Sequence, residues 1–138
     1  MSLRLSHTTI DAIDPYAQAR WWCELAEFTP KEGVRPGSDE CYVVTGDGYT
    51  VLFLQVPDGK TVKNRMHFCM RPQDRSQDAE VDRALALGAR IVTDYRGSKG
   101  WVVLADPEGN EFCVLRRRQP AGGAPSQDKP SRREQESP

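Results

Sequence analysis

The sequence predicts an α+β fold: two βαβββ repeats that form an open, curved mixed sheet of half-barrels, with one helix per repeat on the outside. Three observations predict it. His7 is followed seven residues later by Asp14, and His67 seven residues later by Asp74, so one opening recurs at an offset of 60. Each histidine begins a run that alternates like a strand, and each aspartate stands just before a run with helical spacing. Each helix is followed by a hairpin signal, Gly46-Asp47-Gly48 in the first copy and Asp106-Pro107-Glu108-Gly109-Asn110 in the second. Antiparallel connections inside each copy, with one helix per copy, define the α+β class.

In chain order, Leu3 to Ile13 reads as a strand with Leu5, His7, Thr9 and Asp11 on one face. Asp14-Pro15 supplies an N-cap and a proline at the first helical position. The helix runs from Tyr16 to about Ala26, with Ala17, Trp21, Trp22 and Leu25 as its apolar stripe. The segment from Phe28 to Glu40 holds Pro30, Gly33, Pro36 and Gly37, which restricts it to a short or edge strand. Cys41 to Thr45 and Tyr49 to Val56 make the first hairpin. In the second copy, Met66 to Arg71 is a strand with His67, Cys69 and Arg71 on one face and Met66, Phe68 and Met70 on the other. Gln77 to Leu87 is its helix, with Ala79, Val81, Ala84 and Leu85 facing inward and Gly88 as terminator. Ala89 to Tyr95, Trp101 to Ala105 and Glu111 to Arg116 complete three strands.

These spans set the organisation. One domain covers residues 3–118, made of repeats 3–58 and 65–118, and residues 119–138 form a disordered tail. From Gln119 onward there is no Ile, Leu, Val or aromatic residue, so nothing repays the entropy of ordering. A net charge of −1 and an isoelectric point near 6.1 argue against nucleic-acid binding, which draws on clustered Lys and Arg. No apolar run approaches the ~20 residues of a membrane span, and the N-terminus has no signal-peptide pattern. Cys23, Cys41, Cys69 and Cys113 show no C-x-x-C spacing. A cytoplasmic protein with free thiols is the expectation.

The repeat also proposes a site. The offset of 60 pairs His7 with His67 and Phe53 with Cys113, a four-position set drawn from the first and last strands of each copy. Asp11 and Arg71 each lie four residues after their histidine on the same face, placed to form a rim ion pair or to orient a polar substrate. Cys69 and Cys113 are expected to be small apolar filler, because His67 lies about 7 Å along the strand from Cys69, too far for direct activation.

The opening His-Thr-Thr-Ile-Asp-Ala-Ile-Asp-Pro, the second opening His-Phe-Cys-Met, and above all Trp101-Val-Val-Leu-Ala-Asp-Pro-Glu-Gly-Asn-Glu-Phe resemble the vicinal oxygen chelate superfamily. Its members include glyoxalase I, extradiol dioxygenases, fosfomycin-modifying enzymes and bleomycin-resistance proteins; the chain looks most like the small glyoxalase-like proteins of actinobacteria. The resemblance implies a cleft for a small-molecule ligand, a homodimer, and in enzymatic members a divalent metal (Zn, Fe, Mn or Ni). It puts the metal ligands at His7, His67 and Cys113, with Phe53 at the fourth position or Gln55 two residues on. The chain departs from the pattern here, since glyoxalase-type members carry Glu or His at the last-strand positions. Glu111, on the face of Cys113, is the other oxygen candidate; His7, His67 and Cys113 would suit zinc, and two histidines with Glu111 would resemble a non-haem iron triad. Three functional classes stay open: a metal-assisted lyase, isomerase or dioxygenase; a metal-free drug- or metabolite-binding protein of the bleomycin-resistance kind, its cleft lined by Phe53; and an adaptor without chemistry.

Overall fold

Asp14 and Pro15 begin the first helix as their order predicts. The Asp14 side chain accepts a hydrogen bond from the Ala17 N–H at 3.1 Å, and the proline occupies a position whose N–H would have no helical partner. A computed structural model describes residues 2–118; the expected disordered tail, residues 119–138, lies outside the described residues. The chain divides into two compact units, one over Met1–Thr61 and the other beginning at Val62.

Unit 1 contains β1 (Thr8–Ala12), α1 (Pro15–Ala26), β2 (Thr29–Pro30), β3 (Glu40–Val44) and β4 (Thr50–Gln55). Its sheet has the order β1-β4-β3-β2, with β1 parallel to β4 and the remaining pairs antiparallel. The first strand starts at Thr8, later than alternation suggests: the ladder begins where Thr8 meets Val51, and Leu3 and Leu5 stay exposed. On α1, the buried residues are Pro15, Gln18, Ala19, Trp21, Trp22 and Leu25. Ala17 is exposed, so the buried stripe is centred one residue around the helix from the expected one. Trp22 stacks on Phe28 with ring centroids 6.2 Å apart, and Trp21 meets Trp22 edge to face. The Trp-Trp pair is core packing.

Unit 2 contains β5 (Phe68–Met70), α2 (Gln77–Ala86), β6 (Arg90–Asp94), β7 (Val102–Ala105) and β8 (Glu111–Val114). Its order, β5-β8-β7-β6, repeats that of unit 1, with β5 parallel to β8. Ser76 caps α2, accepting from the Ala79 N–H at 3.1 Å. Only Val81 and Ala84 of this helix are buried; Ala79 and Leu85 are exposed. Gly88 ends the helix region with φ +109°, a conformation that costs glycine little. The Asp106 side chain holds the β7–β8 turn, accepting from the N–H groups of Glu108 and Asn110 at 3.0 Å each. No helix among the described residues is long and apolar enough to cross a membrane.

The two units match strand for strand, but at different offsets. At their first strands the offset is 60, Thr8 answering to Phe68. At their last strands it is 61: Thr9 pairs with Leu52 in unit 1, and Cys69 with Cys113 in unit 2. A shift of one residue turns a side chain to the other face of the sheet.

Candidate metal centre

That extra residue corrects the four-position set. The structural counterpart of Cys113 is Leu52, and Phe53 points away from the histidine face. His7 meets the ring of Tyr42 edge-on at 5.9 Å, and Tyr42 shares its face with Leu52 through the β3–β4 register. Phe53 pairs with Cys41 and Ile10 on the opposite face, where Cys41, Val43 and Phe53 are all fully buried. Gln55 alternates with Phe53 and so also faces away from His7; it is exposed at the end of β4. Neither residue can line a ligand site on the histidine face. Alternation does put Asp11 on that face, solvent-exposed. His7 Nδ1 lies 2.9 Å from Ser6 Oγ. Tyr42 and Leu52 are the residues sequence reasoning missed in this unit.

In unit 2 the register brings chemistry together. Cys69 and Cys113 are neighbours across parallel strands, and His67 stands two residues before Cys69 on the same face. One ring nitrogen of His67 and the two Sγ atoms all lie within 4.8 Å of one another. The ~7 Å separation along the strand is closed by the side chains. His67 and Cys113, both expected in a site, are thus joined by Cys69, which was expected to be filler. Trp101 and Val103 pack against Cys113, with Tyr95 and Leu115 beside them. The Lys99 ammonium sits 4.6 Å from the Tyr95 ring centroid and 5.8 Å from that of Trp101, within cation–π range.

The remaining predicted residues of this unit are held by the protein itself. Glu111 is ion-paired with Lys63, and its backbone N–H donates to Asn64 Oδ1 at 3.1 Å. Glu111 is not among the converging donors. Arg71 Nη1 donates to the Arg116 carbonyl at 2.7 Å, tying the end of β5 to the strand beyond β8.

Electrostatics prepares the cluster for a cation. The Cys113 S–H donates to Cys69, which lowers the Cys69 thiol to about 7; burial opposes this and the Arg71 charge assists it. The same hydrogen bond, with burial, pushes Cys113 up, so the pair readily gives up its first proton and holds its second. Burial, and then the Lys63 charge, lowers His67, with Glu111 opposing, which keeps the imidazole neutral and able to coordinate. His67 Nε2 and Trp101 Nε1 are buried without a hydrogen-bond partner, a costly state for polar atoms unless something binds there. By contrast, burial raises the thiols of Cys23 and Cys41, which leaves them inert.

The donor set fits a soft divalent cation. Zinc takes Cys sulfur at about 2.3 Å and His nitrogen at about 2.0–2.1 Å, and two Cys with one His leave a fourth position open, as catalytic zinc sites do. Donors within 4.8 Å of one another approach the spacing such a tetrahedron requires. Two thiolates disfavour manganese, which selects carboxylate, carbonyl and water.

The chain belongs to a glyoxalase-like domain family, whose model matches residues 7–115, and so to the vicinal oxygen chelate superfamily. Solved structures agree on the fold. The fosfomycin resistance protein FosX from Listeria monocytogenes superposes with a TM-score of 0.66 at 16% identity, covering 87% of this chain and 95% of that one. A variant of that protein, complexed with Mn(II) and 1S,2S-dihydroxypropylphosphonic acid, gives 0.64 at 18%, covering 83% and 90%. A glyoxalase/bleomycin resistance/dioxygenase family enzyme from Burkholderia phytofirmans gives 0.62 at 22%, covering 81% and 97%. At these identities the likeness is one of fold. No curated protein matches the sequence.

Proposed function

We propose that this chain binds a small polar metabolite and acts on it with a zinc ion held by His67, Cys69 and Cys113. The observation that supports this reading is the convergence of three ligand atoms within 4.8 Å, with His67 Nε2 buried and without a hydrogen-bond partner. When bound, zinc would supply Lewis-acid polarisation of a substrate oxygen at its open position. The protein's own contribution is binding and orientation. Buried Trp101 and partly buried Tyr95 pack beside the cluster, and Lys99 adds positive charge beside both rings. A lyase or isomerase reaction on vicinal oxygens fits this equipment, because zinc acts as a Lewis acid and has no redox chemistry to give a dioxygenase. Ile91 and Val92, 42% and 39% exposed on the edge strand β6, support a homodimer, and four free cysteines suit the cytoplasm.

The test is metal content per chain. After loading with zinc and removal of excess, the protein is expected to retain about one equivalent that His67→Ala loses. Retention below about a tenth of an equivalent by the unsubstituted protein would count against the metal reading. It would favour the metal-free ligand-binding alternative.

A further inference from the structure

We propose that Cys69 and Cys113 are a reversible dithiol–disulfide pair, a modification site whose co-reactant is a low-molecular-weight disulfide. The two cysteines are register partners on adjacent parallel strands. Neighbouring strands lie about 4.7–4.9 Å apart, inside the ~4.4–6.8 Å between Cα atoms that a disulfide requires. Their sulfurs already face each other, within the 4.8 Å span of the cluster. The two differ in access, because Cys69 is exposed and Cys113 is buried.

Access sets the order of events. The Cys69 sulfur attacks one sulfur of the small disulfide, forming a mixed disulfide and releasing one thiol. Cys113 then attacks the Cys69 sulfur, closing the cross-strand bond and releasing the second thiol. The protein dithiol is oxidised, the small disulfide is reduced to two thiols, and the two protein protons leave with them. Closure removes both sulfurs from the donor set and leaves His67 without partners, so oxidation and metal binding exclude each other. Cys23 and Cys41 belong to unit 1, where Cys41 is buried and Cys23 partly so.

The experiment treats the full chain, stripped of metal with a chelator, with oxidised glutathione, then quenches with an alkylating agent. Metal-free protein makes the outcome independent of the zinc reading. Thiols counted after denaturation are expected to fall from four to two, the protein becoming lighter by two hydrogens, with peptide mapping linking Cys69 to Cys113 and dithiothreitol restoring all four. Cys113→Ser is expected to stop at a glutathione adduct on Cys69, and Cys69→Ser to stay unmodified. A stable adduct on the unsubstituted protein, four surviving thiols, or a bond joining any other pair would overturn the proposal; the unsubstituted protein alone decides it if a variant fails to fold.

Discussion

Cys113→Ser is expected to weaken zinc binding by more than a hundredfold while leaving the fold intact. Outer-shell changes at metal sites already cost about 10–100-fold, and this substitution removes one of three protein donors outright. Serine keeps an O–H donor beside Cys69 in place of the S–H that lowers its thiol, so the loss reads the missing sulfur ligand. The affected volume is small, since serine replaces sulfur with oxygen beside Trp101 and Val103. Competition against a chromogenic zinc chelator measures the loss. Urea denaturation of the metal-free protein checks the fold, with a midpoint close to that of the unsubstituted chain as the expected result.

The second large effect is on stability. Phe53→Ala is expected to destabilise the protein by about 3–5 kcal/mol, the usual cost of truncating a buried phenylalanine, and to leave zinc affinity unchanged. Phe53 is fully buried between the Ile10 and Cys41 register positions, so its loss opens a cavity in the unit 1 core. With urea slopes of about 1.5–2 kcal/mol/M, typical for a protein of this size, the midpoint falls by roughly 1.5–3 M. Had Phe53 lined the ligand face, the substitution would act on binding and spare stability. The two outcomes separate on one denaturation curve and one titration.

Phe53 also shows how far the sequence could be read. The repeat was legible from His7 and His67 because both openings keep the offset of 60, and the first helix start was legible from Asp14-Pro15. The last strands were not, because a single additional residue of offset swaps Phe53 for Leu52 without disturbing the strand pattern on either side. Only the ladder register reveals it. Cys69 was hidden for a related reason. Distance along a strand separates it from His67, whereas its chemical partner, Cys113, is 44 positions away in sequence and adjacent across the sheet. Helix faces were partly readable: Trp21, Trp22, Leu25, Val81 and Ala84 are buried, yet Ala17, Ala79 and Leu85 are exposed, because a helix with several adjacent apolar stripes does not say which one meets the sheet.

The proposed site has two thiolates and an imidazole from one sheet holding a divalent cation. Cobalt(II) in place of zinc tests it most directly, because cobalt reports its donors by absorption. The expected result is a thiolate-to-cobalt charge-transfer band in the near ultraviolet with the intense visible bands of tetrahedral coordination, at one cobalt per chain, both lost in Cys69→Ser and Cys113→Ser. Weak octahedral bands without thiolate charge transfer, or a spectrum unchanged in both variants, would contradict it.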